Sequence, residues 1–163
     1  MIGKLKQLMA ELGAAAPDDA ESNEHALRVA TAALLVEMAR ADQGGSMLER
    51  ERIHRLLQEH YRLEADEAEA LIAAADRRAD HAVSLHEFTA MLHDRLDEAE
   101  KQSVVALLIR TALADGHFDS HEQHLLAKVA DMLYLRRSEY VMLRARILEE
   151  ELAGRPQGRS PRK

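Results

Sequence analysis

The segment ALADGHFDSHEQHL, residues 112 to 125, carries the side chains of this chain best suited to chemistry. Asp115, Asp119 and Glu122 lie close together between two apolar runs. Carboxylate oxygens are the ligands that calcium prefers, and the ion takes about six to eight oxygens. Three carboxylates and the local carbonyls supply few of these. The segment therefore predicts a divalent-cation site that is weak, or that takes further ligands from elsewhere in the chain.

The same residues also predict an ordinary turn between two helices. Asp119 and Glu122 have the spacing of a capping box, in which each side chain accepts a hydrogen bond from the other residue's backbone N–H. Such a cap stabilises a helix by about 1 kcal/mol. Gly116 stands where a residue of left-handed backbone is expected after a helix end. This structural interpretation explains every residue except Asp115, and the two interpretations stay open.

Three histidines in this segment support an alternative metal. His121 and His124 are three residues apart, and His117 precedes them. Zinc accepts such nitrogen ligands together with a carboxylate. The spacing matches no strong zinc signature, and histidines on helix surfaces are usually solvated. The corresponding enzyme would be a metal-dependent hydrolase, which needs a pocket with at least about three convergent ligands and an open position.

A second acidic segment, residues 76 to 88, has only the outline of a calcium-binding EF-hand loop. Asp76, Asp80 and Glu87 occupy ligand-like positions. Arg78 stands at the third position, where a ligand belongs, and His81 replaces the glycine of the sharp turn at the sixth. An inter-helix connection accounts for this segment without calcium.

Motifs of known catalytic chemistry are missing from the sequence. It contains no cysteine, nucleophile elbow, phosphate-binding loop, dinucleotide fingerprint or H-E-x-x-H motif. We therefore expect a protein that is not an enzyme. The surfaces rich in glutamate are more simply explained as solvated helix faces, since carboxylates work as acid and base only when burial separates their pKa values.

Helices must position these residues, because the apolar spacing is helical and no run alternates as a strand does. The fold class is therefore all-α, a helical bundle of about seven to eight helices. Ser46, Ser84, Asp97 and Asp119 begin capping-box patterns, and Ser22 and Ser138 are simpler candidate caps. The predicted helices cover residues 3–12, 23–41, 47–61, 65–79, 85–94, 98–114, 120–133 and 139–152.

An internal pseudo-two-fold repeat relates residues of about 28–80 to residues of about 103–150. The stretch 33–53 aligns with 106–126, and the alignment pairs Asp42 with Asp115 and Glu49 with Glu122. Each copy begins with a helix that is apolar on nearly every side. Such helices belong inside a core. We expect these two helices to pack against each other at the centre of the bundle.

Composition limits the partners and the compartment. The net charge is −7, and the last eleven residues carry four basic side chains and no acid, so the remainder is more acidic still. An acidic body repels phosphate backbones, so we expect no nucleic-acid partner. The lack of cysteine suits a reducing cytoplasm. No apolar run approaches the length of a transmembrane segment.

The chain divides into three parts. Residues 1–22 are predicted to be an N-terminal amphipathic helix and linker, 23–152 the helical domain, and 153–163 a disordered basic tail. Ile2, Leu5, Leu8, Met9 and Leu12 form one helical stripe. Docking on the main body explains this stripe, and peripheral contact with a membrane surface is the alternative.

Residues 112 to 140, together with the weaker first copy and residues 84 to 108, resemble the TerB-like proteins of tellurite resistance. Through them the chain resembles the helical N-terminal module of a DnaJ-type co-chaperone. The resemblance covers about residues 25 to 150, and its most specific part is Ala-Asp-Gly followed by an acidic helix start.

The resemblance implies a non-enzymatic interaction module of the stress response, with protein partners. It also implies acidic loops that hold a divalent cation; the zinc alternative rests on the histidines and not on the resemblance. The matching residues are Asp115, Gly116, Asp119 and Glu122 in the second copy. The first copy has its glycine one place late and Ser46 in place of an acid, which leaves Asp42, Glu49 and Glu51. A purely structural adaptor without metal is the alternative.

Overall fold

The computed structural model describes residues 19–41, 47–81, 85–114, 116 and 118–154, and all its elements there are α-helices. The seven helices are α1 (Asp19–Ala41), α2 (Met47–Tyr61), α3 (Ala65–His81), α4 (Leu85–Arg95), α5 (Glu98–Ala112), α6 (Ser120–Met132) and α7 (Arg137–Ala153). The all-α prediction is confirmed. The predicted helix over residues 3–12 lies outside the described residues, as do most of the basic tail and the candidate caps Ser46 and Ser84.

Helix starts follow the predicted caps in some places and not in others. At α5, Oδ1 of Asp97 accepts a hydrogen bond from the backbone N–H of Glu100 at 2.8 Å, as predicted. Ser22 and Ser138 are wrong as caps, because both lie inside their helices. At the start of α7, the side chain of Glu139 accepts the backbone hydrogen bond instead.

The start of α7 shows why a glutamate can replace a serine cap. Oε2 of Glu139 accepts a hydrogen bond from the backbone N–H of Arg136, at 3.2 Å, so Ser138 is not needed for it. Helix α1 begins at Asp19, four residues before the predicted start at residue 23, so Ser22 lies within it.

Helices α1 and α5 form the centre of the bundle, as the two apolar stretches predict. Helix α1 packs against α2, α3, α4, α5 and α6, and α5 packs against α1, α2, α6 and α7. A helix that is apolar on nearly every side is stable only when other helices surround it. Their fully buried side chains include Leu34, Leu35, Met38, Leu108 and Ile109.

The ends of α2 and α6 have the same local geometry. Arg62 and Tyr134, which follow these helices, have positive φ angles of 55° and 59°. In each case the backbone N–H of the next residue, a leucine, donates to a carbonyl near the helix end at 3.0 Å, which is the long bond of a Schellman turn. The sequence repeat continues beyond the 33–53 and 106–126 alignment with an offset that is one residue shorter, which pairs Leu63 with Leu135 and so aligns these two turns. The pseudo-two-fold relation of the two halves as a whole stays a prediction.

Candidate functional site

The bend between α5 and α6 contains a glycine with a left-handed backbone conformation. Helix α5 ends at Ala112, and the backbone N–H of Gly116 then donates to the carbonyl of Leu113 at 3.1 Å. Gly116 has φ 84°, a left-handed conformation that is open to glycine at little cost. The left-handed residue was predicted at this position. Three residues further on, Asp119 is the N-cap of α6.

Asp119 and Glu122 form the predicted capping box at the start of α6. Oδ1 of Asp119 accepts from the backbone N–H of Glu122 at 2.8 Å, and Oε2 of Glu122 accepts from the backbone N–H of Asp119 at 3.2 Å. The side-chain amide of Gln123 also donates to the carbonyl of Phe118 at 2.8 Å. The two bonds of the capping box satisfy backbone N–H groups that a helix start leaves without intrahelical partners.

The two carboxylates of this box differ in exposure. Asp119 is exposed, whereas Glu122 is only 1% exposed. A cation that approaches from solvent therefore meets Asp119 first. Asp115, the carboxylate that the turn does not explain, lies outside the described residues, as does His117.

The first copy places a glutamate in a similar environment. Glu49 lies in the first turn of α2 and is also 1% exposed, like Glu122. Glu51 is exposed on the same helix, and Asp42 lies outside the described residues. In the described part of the chain, Glu49, Asp119 and Glu122 do not form a group that could hold a metal ion, nor do any other three acidic or histidine side chains. The structure thus brings Asp119 and Glu122 together without assembling a complete metal site from the residues it describes.

The histidines of the zinc alternative are on the surface. His121 and His124 are both exposed on α6. This exposure agrees with the interpretation that they are solvated histidines on a helix surface, which is simpler than the zinc interpretation. Within the described residues, neither belongs to a group with the composition of a metal site.

The described part of the EF-hand-like segment consists of the end of α3 and the start of α4, and its carboxylates are ion-paired. Helix α3 runs to His81, so the first half of the would-be loop is helical. Asp80 pairs with Arg40 at 2.8 Å, and Asp76 pairs with Arg50. Glu87 accepts from Arg78 at 3.0 Å. Arginine charges neutralise these carboxylates, which agrees with the inter-helix connection expected from the sequence.

Two surface features were not found from the sequence. One is a groove of about 620 Å³ between α2 and α3, whose lining includes Arg50, Glu51 and His54. The ring nitrogen Nε2 of His54 lies 3.0 Å from the carbonyl of Ala65, so this imidazole ties the two helices together. The other is an exposed apolar stripe on α7. Periodicity shows which residues are apolar, but it does not show which apolar residues the neighbouring helices leave uncovered.

The fold and the bend together define a small helical bundle with a capped acidic turn. A family model described as tellurite resistance protein TerB matches residues 28–145. The chain belongs to the TerB family. No curated protein and no solved structure matches the chain. The relation to the helical module of a DnaJ-type co-chaperone stays a prediction.

TerB is not a known family of enzymes. In the part of the chain that the structure describes, no helix is both long and apolar enough to cross a membrane. The N-terminal stripe, for which docking on the body or contact with a membrane surface was predicted, lies outside the described residues.

Proposed function

We propose that this protein is a non-enzymatic interaction module of the stress response, related to tellurite resistance, and that its α5–α6 bend binds a divalent cation. The family match supports the first part. The second part rests on Asp119, whose exposed carboxylate is fixed in place by the bond from the backbone of Glu122 to Oδ1 at 2.8 Å. A carboxylate that is already oriented loses less entropy on binding an ion than a mobile one.

The proposed site combines Asp119 with Asp115 and local backbone carbonyls. The capping bond uses Oδ1 of Asp119, so Oδ2 is the oxygen that a cation would take. Glu122 contributes as the partner that holds Asp119. In the first copy, Asp42 and Glu49 would form a weaker counterpart. The small number of carboxylates gives an expected dissociation constant for calcium on the order of 10⁻⁴ to 10⁻³ M.

Calorimetry with calcium, magnesium, manganese and zinc tests the cation site. We expect heat from calcium binding to the native protein and none with the double variant Asp115→Asn/Asp119→Asn. Asparagine caps a helix about as well as aspartate, so the variant loses the charge and keeps the fold. Asp131→Asn, an exposed change on the same helix, is the matched control and should bind calcium as the native protein does. If none of the four ions produces heat with the native protein, the cation site does not exist.

The cellular setting follows from composition and charge. We place the protein in the cytoplasm because it lacks cysteine, and we expect no nucleic-acid partner because its net charge is −7. The protein partners are proposed from its membership of the TerB family. A bound cation would lower the negative potential of the bend, and a basic partner segment would do the same. Growth on tellurite of a host that carries the Asp115→Asn/Asp119→Asn gene tests whether the acidic bend takes part in resistance. Growth equal to that of the strain with the native gene would show that the acidic bend takes no part in tellurite resistance.

A further inference from the structure

A cavity of about 310 Å³ is lined by α5, by α7 and by the end of α2. Helix α5 contributes the small residues Ala99, Ser103 and Ala106, whose spacing of three to four residues places them on one side of the helix. Small side chains leave room between α5 and α7. We name this space the basic cavity. Its polar and charged lining consists of His60, Gln102, Ser103, Arg110 and Arg146.

The basic cavity differs in charge from two other cavities of the bundle. Among the described residues, its lining has two arginines and no carboxylate. The groove between α2 and α3 has Glu51 and Glu69 beside its two arginines. A cavity near the start of α1 has Glu24 and Glu100 beside Arg28. In a chain of net charge −7, the basic cavity is therefore a local concentration of positive charge.

The two guanidiniums of the basic cavity meet at one carboxylate beside it. Nη2 of Arg110 donates to Oε2 of Glu150 at 3.2 Å, and Nε of Arg146 lies 3.8 Å from Oε1 of the same glutamate. In the part of the chain that the structure describes, no other acid pairs with either arginine. Two positive charges thus share one negative charge. Because each guanidinium has five N–H donors, donors and charge remain for a second anion.

We propose that the basic cavity binds a small oxyanion, such as phosphate or a carboxylate, between the guanidiniums of Arg110 and Arg146. The planar guanidinium fits two oxygens of a carboxylate or a phosphate. The amide of Gln102 and the imidazole of His60 are further donors in the lining. The hydroxyl of Ser103 is not among these donors, because it donates to a carbonyl of its own helix at 3.0 Å.

Glu150 competes with an anion from solution for the same guanidiniums. Its side chain is 54% exposed, so it can turn into water when another anion takes its place. The side chain of Arg110 is 30% exposed and that of Arg146 is 65% exposed. Water screens an exposed charge more strongly, so Arg110 should contribute more to binding than Arg146.

The imidazole of His60 responds to the positive charge in the basic cavity. Burial is the main cause of its lowered pKa, and the guanidinium of Arg110 lowers this pKa further. An anion bound beside the imidazole would have the opposite effect, because it stabilises the imidazolium. The pKa of His60 is thus a reporter of binding. The basic cavity does not include the proposed cation site at the start of α6, so either proposal can fail without the other.

A titration followed by NMR at constant ionic strength tests the site. Phosphate, sulfate or acetate replaces chloride at about pH 7.5, where His60 is neutral. We expect saturable changes in the Nε–Hε signals of Arg110 and Arg146, with a dissociation constant on the order of 1 mM, and a higher pKa of His60 at saturation. Chloride alone is the control for screening. Stronger binding of phosphate and sulfate would identify a tetrahedral oxyanion as the ligand, and stronger binding of acetate a carboxylate.

Loss of either arginine should weaken binding. Arg110→Gln should raise the dissociation constant about tenfold, and Arg146→Gln, at the more exposed position, about threefold or more. Arg137→Gln removes the same charge from an exposed position of α7 and is the matched control, so its dissociation constant should equal that of the native protein. Circular dichroism shows whether each variant keeps its helices.

Removal of the competing carboxylate should strengthen binding. Glu150→Gln keeps both guanidiniums and frees them from their shared acid, so the dissociation constant should fall about threefold or more. Glu149→Gln changes the exposed neighbouring glutamate and should have little effect. A purely structural role of Arg110 and Arg146 would not produce tighter binding in Glu150→Gln.

Three results would overturn the proposal. One is the lack of a saturable change with every oxyanion. Another is that Arg110→Gln and Arg146→Gln bind phosphate as tightly as Arg137→Gln. The third is that Glu150→Gln binds no more tightly than Glu149→Gln. If Arg110→Gln does not fold, Arg146→Gln and Glu150→Gln still decide, because both change exposed residues.

Discussion

The ammonium of Lys101 lies 2.7 Å from Nδ1 of His93, and this contact joins α5 to α4. Lys101 is only 7% exposed. An ammonium group can only donate hydrogen bonds, so Nδ1 of His93 accepts and the proton of this imidazole is on Nε2. The ring of Tyr134 packs on the same imidazole with 4.3 Å between ring centroids. His93 thus connects two helices with the turn after α6.

Two substitutions of His93 distinguish the contribution of its hydrogen-bond acceptor from that of its ring packing. His93→Leu leaves the buried ammonium of Lys101 without this acceptor, so we expect the free energy of unfolding to fall by about 2 kcal/mol. His93→Gln also removes the ring but keeps an acceptor oxygen, so it should cost about 1 kcal/mol less than leucine does. Urea unfolding measures both variants. Equal losses would show that the acceptor contributes nothing and that the ring alone matters.

The central position of α1 and α5 makes a second prediction. Leu35 and Leu108 are both 0% exposed. Each change to alanine should lower the free energy of unfolding by about 2 to 5 kcal/mol, because it removes buried methyl groups and leaves a cavity. Leu152→Ala, at an exposed position, should change it by less than about 0.5 kcal/mol. Urea unfolding measures these losses, provided that the dependence of the free energy of unfolding on urea concentration is the same for the three variants. A loss below about 1 kcal/mol at either core leucine would contradict the central placement of α1 and α5.

The sequence predicts the helices well because local rules determine them. Asp97 and Asp119 cap α5 and α6 as predicted, since a short side chain can reach only the backbone of its own turn. The central pair was predictable for a related reason, because a helix with no polar side must be surrounded. Ser138 failed as a cap because several side chains compete for the backbone groups of one helix start, and at α7 Glu139 accepts the backbone N–H of Arg136. Ser22 failed because α1 begins three residues earlier.

The surfaces could not be predicted because they depend on contacts between distant residues. Arg40 pairs with Asp80 across two helices, and no local pattern indicates this pair. The exposure of Met142 likewise depends on where α5 and α6 lie. For the candidate cation site, the sequence predicted the capping box of Asp119 and the left-handed Gly116, which are properties of a single turn. The number of oxygen ligands around an ion depends on several segments of the chain, so rules that act within a single turn could not predict it.

The capping box at α6 makes a prediction that separates capping from charge. Asp119→Ala removes the acceptor for the backbone N–H of Glu122, so the free energy of unfolding should fall by about 1 kcal/mol. Asp119→Asn keeps an acceptor and should stay within about 0.5 kcal/mol of the native protein. Thermal or urea unfolding without divalent cations measures both. A loss with asparagine as large as with alanine would mean that the charge of Asp119, rather than its hydrogen bond, stabilises the bend.

His60, at the end of α2, gives the stability a dependence on pH. Burial lowers the pKa of His60 below its ordinary value of 6.5, and the nearby guanidinium of Arg110 lowers this pKa further. In the window between the lowered pKa and 6.5, the unfolded chain binds more protons than the folded one. The contribution of His60 to stability is therefore fully present above pH 6.5 and is lost as the pH falls through the lowered pKa.

Two measurements check this account of His60. In a titration followed by NMR, the His60 imidazole should titrate below 6.5 in the native protein. Arg110→Gln should raise its pKa only part of the way, because burial is the larger cause, and Arg110→Lys should leave it low because the charge remains. In urea unfolding, His60→Gln should reduce the loss of stability between about pH 6.5 and pH 5. If His60→Gln loses as much stability on acidification as the native protein, the acid sensitivity belongs to other groups. If the pKa of His60 returns fully to its ordinary value of 6.5 in Arg110→Gln, the charge of Arg110 and not burial is the main cause of the lowered pKa.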